Sequence, residues 1–424
     1  MNQTLTALLI FVAMYVLLLI FSERRWIIAL ATAVKFILMG ILPVHSAVRA
    51  INWNVLMMLA GTMMTVELFI QSKMPARMSE ELLRIVPNAQ WAVVSLSLFS
   101  GIISAFVDNV ATVLMVAPVG LAVAKRAKIN PVPVVIAIAV SSNLQGAATL
   151  VGDTTSILLG SYAGISFNEF FFFHGKPGIT LAVETGALLT IPVLLWLFRK
   201  ERTPIQAGSI TEVNDYVPTV LLAGSIIMLI VASQFPNKPE MTNGMICCFI
   251  AIVGTLYEAV KHRSVDIFTC TLKAIDHQTL LLLAALFMDI EALTQAGVID
   301  MIAGFFVHAG GNSILRTYIM IVGASVLLSA FIDNIPYVAT MLPVVGNIAA
   351  MLGVEPYLFY FGLLIGATLG GNITPVGASA NIAGIGILQK ENYKVTFFDF
   401  ARIGVPFTII SALSGALVIW TIWS

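Results

Sequence analysis

Eight runs of 17 to 21 mostly apolar residues limit what this chain can fold into. They lie at about 5–21, 26–43, 53–72, 178–198, 217–234, 241–260, 278–296 and 403–423. A helix needs about 20 such residues to cross the hydrocarbon core of a bilayer. Inside that core every backbone polar group must be satisfied within the protein, which favours continuous helices. The expected fold class is therefore an all-α polytopic membrane protein, with the lipid bilayer as its solvent. Composition agrees. Of 424 residues 59% are hydrophobic and 10% charged, with a mean hydropathy of +0.96, whereas soluble domains carry about 25% charged residues. The run at 5–21 has no basic stretch before it and no small-residue cleavage site after it, so it reads as a retained span and not as a signal peptide.

Four further regions are apolar but interrupted. Regions 91–124 and 313–351 each carry an Asp-Asn pair near the middle, Asp108-Asn109 and Asp333-Asn334. Regions 132–165 and 357–388 are each broken by a Gly- and Thr-rich stretch. An acid at membrane depth is costly unless it lines a polar cavity, so both Asp-Asn pairs read as functional. Basic residues orient the chain, because cytoplasmic loops are enriched in Lys and Arg. With the N-terminus outside, and with 91–124 and 313–351 returning to the side they enter from, 17 basic residues fall inside and four outside, Lys35 alone lying in a span. If either region crossed, every later loop would flip and the bias would collapse. The two regions are therefore expected to be re-entrant hairpins opening to opposite sides.

The halves repeat. Ile51 to Gln71 aligns with Ile275 to Gln295 at an offset of 224 residues, matching Glu67 to Glu291. Ser104, Asp108, Asn109 and Pro118 match Ser329, Asp333, Asn334 and Pro343 at 225, as Gly146, Thr149 and Gly152 match Gly371, Thr374 and Gly377. Loop charges make the two copies run in opposite directions. That is an inverted-topology repeat, an architecture in which broken helices build a site near the bilayer midplane. The expected layout is N-terminal scaffold helices over 1–50 and a first repeat over 51–198. A cytoplasmic linker over 199–216 and scaffold helices over 217–274 follow, then a second repeat over 275–424.

The candidate site lies where hairpin tips and helix breaks meet. Glycines at the breaks let the helices unwind, and Pro375 removes an amide donor. Freed carbonyls and hydroxyls can then hold a cation or hydrogen-bond a polar solute, and exposed helix N-termini favour negative charge. The residues singled out are Asp108, Asn109 and Thr112 on the first tip, and Asn143, Thr149, Gly152, Asp153 and Thr154 at the first break. Asp333 and Asn334 mark the second tip, and Asn372, Thr374, Gly377, Ser379 and Asn381 the second break. Asp108, Asp153 and Asp333 are the candidates for proton coupling. Bland readings stand beside these: hydroxyls that back-bond to carbonyls, Asn109 and Asn334 as structural caps, Asp153 as a half-helix cap. Glu67, Glu184, Asp289 and Glu291 read either as functional or as scaffold pairs, and the phenylalanines at 170–173 as an interfacial anchor.

Other function classes are excluded. Basic and acidic residues balance at 22 each, which argues against nucleic acid as a partner. There is no nucleotide-binding loop and no His, Cys and acid cluster of metal-site spacing, so no cofactor and no metal are expected, and no enzyme activity. Cys247, Cys248 and Cys270 form no disulfide framework.

These residues resemble the ion transporter superfamily. Ser-Ala-Phe-Val-Asp-Asn at 104–109 and Ser-Ala-Phe-Ile-Asp-Asn-Ile-Pro at 329–336 are similar to the paired hairpin tips of its arsenite-efflux (ArsB) and P-protein branch, a citrate-transporter-like domain. Gly370 to Asn381 resembles that branch's second broken helix and Gly146 to Ser156 its first, although Asp153-Thr154-Thr155-Ser156 stands where the branch often has Asp-Pro-Pro-Asn. The sodium-dicarboxylate branch carries Ser-Asn-Thr at its tips, unlike Asp108-Asn109-Val110 and Asp333-Asn334-Ile335. The resemblance implies a scaffold and a moving transport domain, an elevator-type mechanism, and as partners a second copy of the chain or a separate ATPase subunit. It implies proton-coupled efflux of arsenite or antimonite across the plasma or inner membrane. Other readings stay open: a sodium/proton antiporter, a sodium-coupled importer of an inorganic or dicarboxylate anion and, from a different class, a channel or an intramembrane enzyme, although no nucleophile-base pair for the last is found in the sequence. Arsenite is mostly uncharged at neutral pH and needs no Arg or Lys clamp, and no basic residue lies in the tips or breaks.

Overall fold

A computed structural model describes residues 3–21, 24–205, 211–235, 237–264 and 266–424. Part of the expected linker, 206–210, lies outside the described residues. The first half contains α1 (Gln3–Ile20), α2 (Arg25–Leu38), α3 (Val44–Ala50), α4 (Trp53–Gln71) and α5 (Met74–Leu83). It continues with α6 (Ala89–Ser104), α7 (Asn109–Ala127), α8 (Pro131–Gly146), α9 (Thr154–Ala163) and α10 (Ile179–Leu197). The second half contains α11 (Val217–Ala232), α12 (Thr242–His262), α13 (Asp266–Lys273), α14 (His277–Gln295) and α15 (Val298–Ala309). Then come α16 (Ile314–Ser329), α17 (Asn334–Leu352), α18 (Tyr357–Gly370), α19 (Ser379–Lys390) and α20 (Phe397–Trp423).

From α3 to α10 and from α13 to α20 the elements follow one order: short helix, span, short helix, hairpin, broken helix, span. Caps mark the boundaries. Asn52 accepts from the Val55 amide at the start of α4 and Asn88 from the Trp91 amide at the start of α6. Asp276, Ser313 and Thr396 do the same for α14, α16 and α20. Each relieves one of the unpaired amides of a helix start. The hairpins α6–α7 and α16–α17 end alike. Lys128 takes φ +57 after α7, and its repeat counterpart Gly353 takes φ +68 after α17.

Among the described residues eight helices are long and apolar enough to cross a membrane: α1, α4, α7, α10, α12, α14, α17 and α20. They differ from the eight expected spans at two places. The run at 26–43 is helical only to Leu38, because the chain turns through Gly40 at φ +71 and restarts at Val44. The run at 217–234 forms a helix of 16 residues. In their place α7 and α17, second arms of the hairpins, reach span length. These two are the most deeply enclosed of the eight, with 56% and 67% of their apolar windows buried inside the protein. That enclosure suits re-entrant arms packed in protein and not in lipid. The short helices α3, α5, α13 and α15 were legible only as parts of loops or runs. In the phenylalanine cluster Phe170 and Phe173 are buried, Phe171 is half-buried and Phe172 is exposed, and Phe173 packs against Tyr357 and Trp423.

Packing divides the helices into two groups. In the first, α4 lies along α12 with α11 beside it, and α14 lies along α2 and α3. In the second, α6 and α7 pack on α8, α16 and α17 on α18, α10 on α20, and α19 across α7 and α8. The helices preceding each repeat thus brace the other repeat's first span. This is an elevator-type arrangement with two inverted repeats, each bearing a re-entrant hairpin and a broken helix.

The α4–α12 contact depends on Gly61, where a Cβ would collide with the backbone of Cys247 and Cys248. Gly61→Ala is expected to lose about 1–3 kcal/mol to overpacking, read as a lower melting midpoint in detergent. Gly224→Ala on α11, where nothing stands within 4 Å of the new carbon, is the control and should leave the midpoint unchanged or slightly higher.

Candidate functional site

The two breaks are stitched to the two hairpin tips by one bond that recurs in each half and by others that do not. The Thr149 hydroxyl donates to the Ala105 carbonyl, and the Thr374 hydroxyl to the Ala330 carbonyl. Ser142 donates to Ser104 Oγ at 3.0 Å and to the Asn109 carbonyl at 3.2 Å. Gly152 and Gly377 allow the close approach. A Cβ at Gly152 would stand 2.5 Å from the Ser104 carbonyl oxygen, and one at Gly377 would stand 2.9 Å from that of Ala330. Unwound backbone therefore finds its partners in the tip beside it, as apolar surroundings require.

Asparagines join the two halves at the centre. Asn109 Nδ2 donates to Asn143 Oδ1 at 3.1 Å, and Asn143 Nδ2 donates to Asn372 Oδ1 at 2.8 Å and Asn381 Oδ1 at 2.9 Å. Asn372 Nδ2 then donates to the Val140 carbonyl, and Asn381 Nδ2 to the carbonyls of Gly371 and Thr374. All four asparagines are buried. The cap reading belongs instead to the aspartates. Asp108 Oδ2 accepts from the amides of Val110 and Ala111 at 3.0 and 3.2 Å, and Asp333 Oδ1 accepts from that of Ile335 at 3.1 Å.

A cavity of about 210 Å³ opens between the two packing groups. It is lined by Asp108, Asn109, Asp153, Thr154, Asn334 and Ser379. Glu67 on α4 and Asp276 at the start of α14 add two more carboxylates, and no Lys, Arg or His among the described residues lines it. Asp153 Oδ2 accepts from Thr155 Oγ1 at 2.6 Å and from Asn334 Nδ2 at 3.4 Å, so the second tip reaches the first break. Asp333 lies in an adjoining cavity of about 210 Å³ with Ser379, which is common to both. There Ser379 Oγ donates to Asp333 Oδ2 at 3.0 Å, and Arg25 Nη1 donates to the same oxygen at 2.7 Å.

No basic residue lies in the tips or breaks themselves, but Arg25 reaches the second tip from α2. Arg25 counts in the sequence as a loop charge, yet α2 carries it to an acid 308 positions away. Nothing local in the sequence marks that pairing. Asp276 was likewise missed, since it reads as a helix cap. Of the residues singled out, Thr112, Asn143, Thr149, Gly152, Asn372, Thr374, Gly377 and Asn381 do not line the acidic cavity. They hold the tips and breaks around it. Among the other acids, Glu67 and Glu291 accept from Gln71 and Gln295 one turn on, both at 2.7 Å. Glu184 is approached by Gln145 at 3.5 Å, and Asp289 is buried in α14 with neither oxygen hydrogen-bonded among the described residues.

The citrate transporter (CitMHS) family model matches residues 15–360 and 244–424. The chain belongs to this family. Two uncharacterized transporters of Mycobacterium tuberculosis are 30% and 31% identical to it, each match covering 99% of this chain and 98% of the relative. The human P protein is 26% identical over 87% of this chain and 53% of its own length. Among solved structures, the YdaH transporter of Alcanivorax borkumensis superposes with a TM-score of 0.60 at 13% identity, covering 99% of this chain and 98% of that one. MtrF of Neisseria gonorrhoeae, described as one of a class of antimetabolite efflux pumps, gives 0.56 at 15% identity over 94% and 84%. These two likenesses bear on fold. The citrate transporter family and the apolar helices together make this chain a multi-pass membrane transporter.

In this family member the asparagine net is the joint between the two halves. Asn143→Leu orphans the amide of Asn109 and the side-chain carbonyls of Asn372 and Asn381. Each lost partner is expected to cost about 1–3 kcal/mol, so the variant should melt well below the parent in detergent. A midpoint equal to the parent's would show the net to be dispensable.

Proposed function

We propose that this chain is a proton-coupled secondary transporter that exports arsenite or antimonite by an elevator-type movement. The observation that supports this reading is the acidic cavity between the packing groups, with carboxylates at Asp108, Asp153, Glu67 and Asp276 and no basic lining residue. Clustered carboxylates repel one another when all are ionised, so such a site favours taking up a cation. Protons bound at Asp108 and Asp153 would lower that repulsion, and uncharged arsenous acid would use the hydroxyls and amides of Thr154, Ser379, Asn109 and Asn334. A free citrate trianion would meet the same carboxylates unscreened. It would need accompanying cations to enter, although the family's name makes it a cargo to test.

The second reading is a sodium/proton antiporter, favoured by the same four acids, which could bind sodium and protons in turn. A sodium-coupled importer of an inorganic or dicarboxylate anion comes third, because the nearest guanidinium is already paired with Asp333. The loop charges support an N-terminus outside and a cytoplasmic 199–216 linker in the cell membrane. On that orientation Ala274 and Asp276, before and at the start of α14, bring the cavity to the cytoplasmic side.

Everted vesicles should take up arsenite or antimonite when a proton gradient is imposed, and uncoupler should abolish it. Uptake of neither, together with sodium- or lithium-dependent proton movement, would move the assignment to the second reading. Asp108→Asn and Asp333→Asn are expected to insert and fold yet transport at least about tenfold more slowly, equivalent to about 1.4 kcal/mol in the barrier. Parental rates from both would make these acids structural.

A further inference from the structure

The two hairpin tips are built alike but are not electrostatically alike. Asp108 is met by the amides of its own helix, and no basic side chain lines its cavity. Asp333 has a permanent counter-charge in Arg25, whose guanidinium stays protonated in proteins. The side chains of the pair are 15% and 4% exposed, so the contact is shielded from solvent. It also crosses a boundary. Arg25 opens α2, which lies along α14 in the bracing group, while Asp333 starts α17 in the hairpin and broken-helix group. Elevator motion slides these groups past each other, so Arg25 cannot stay with Asp333 throughout a cycle.

We propose that Arg25 is a bracing-group competitor for the coupling cation at Asp333. In the state described here the guanidinium occupies the carboxylate. When the hairpin group moves away, Asp333 is left enclosed and takes up a monovalent cation, a proton or sodium, because an uncompensated carboxylate in that setting is strongly unfavourable. On return, Arg25 displaces the cation and drives its release. Arg25 is then a positioning residue for the transport step, acting through Asp333. The inference rests on the cation-coupled reading above and assigns the second tip its part in it. The ionisable groups facing Asp333 are Arg25 from α2, Asp276 from α14 and Asp153 from the first break.

The test is equilibrium cation binding to purified protein without cargo, read as thermal stabilisation. Sodium is titrated at fixed pH, and pH is titrated in choline buffer, which separates the two cations. Arg25→Gln should bind the coupling cation about tenfold more tightly than the parent and release it more slowly in a vesicle exchange assay. Asp333→Asn added to Arg25→Gln should abolish that gain, and Arg25→Lys should restore weak binding. Unchanged affinity in Arg25→Gln overturns the proposal. Should that variant fail to fold, Asp333→Asn alone decides: a clear loss of cation-induced stabilisation supports Asp333 as the site for which Arg25 competes, and parental cation affinity overturns the proposal. A parent that binds no cation defeats the coupled reading itself, an outcome distinct from either.

Discussion

A helix interrupted at membrane depth releases backbone N–H and C=O groups that must find partners where water is scarce. That requirement organises the second packing group. Each break lies against its own hairpin tip, Thr149 bonds to the Ala105 carbonyl, and Thr374 bonds to that of Ala330. Gly152 and Gly377 are needed because the backbones come too close for a side chain. The hairpins serve first as partners for the breaks, and only then as carriers of charge. Once the breaks are satisfied in this way, a small polar cavity can exist between them at a tolerable cost.

Duplication explains the stitching but not the charge. Asp108 and Asp333 are equivalent in sequence and both cap the helix that follows. Their surroundings differ because the partners come from outside the repeated motifs: Arg25 from α2 beside Asp333 and Glu67 from α4 beside Asp108, with Asp276 lining both cavities. Asp153 adds to the imbalance, since Ala378 stands at the matching position of the second break. Five acids, Glu67, Asp108, Asp153, Asp276 and Asp333, and one guanidinium are thereby spread over two adjoining cavities that share Asp276 and Ser379. A site made of two identical halves would treat both tips alike; this one separates a neutralised tip from an unneutralised one.

Much of the architecture was legible because its signals are local. Apolar length, an Asp-Asn pair, a Gly-Thr break and an offset of 224 or 225 residues are all read within short windows. The misplacements came where length alone had to decide. The run at 26–43 is long enough to span, but Gly40 and Pro43 end its helix early, and the run at 217–234 forms a helix of only 16 residues. At the site, the roles of Asn143, Asn372 and Asn381 depend on which amide meets which carbonyl across 229 and 238 positions. No spacing encodes that. Arg25 is the clearest case, a loop charge by every sequence criterion and the partner of a hairpin acid in three dimensions.

The cavity walls come from both packing groups: Glu67 and Asp276 from one, Asp108, Asp153, Asn334 and Ser379 from the other. Under the proposed elevator movement, sliding one group against the other would therefore remake the site and not simply carry it. Asp108 and Asp153 have their hydrogen bonds within one packing group, to Val110, Ala111, Thr155 and Asn334, so in such a movement those bonds would stay intact. Bonds between charges across the boundary would not. The cross-boundary bonds are thus the ones whose energies differ between states, and a ligand can shift a conformational equilibrium only through such differences. Arg25 with Asp333 is a charged bond of this kind, and so the asymmetric tip is where cation binding and movement can be linked.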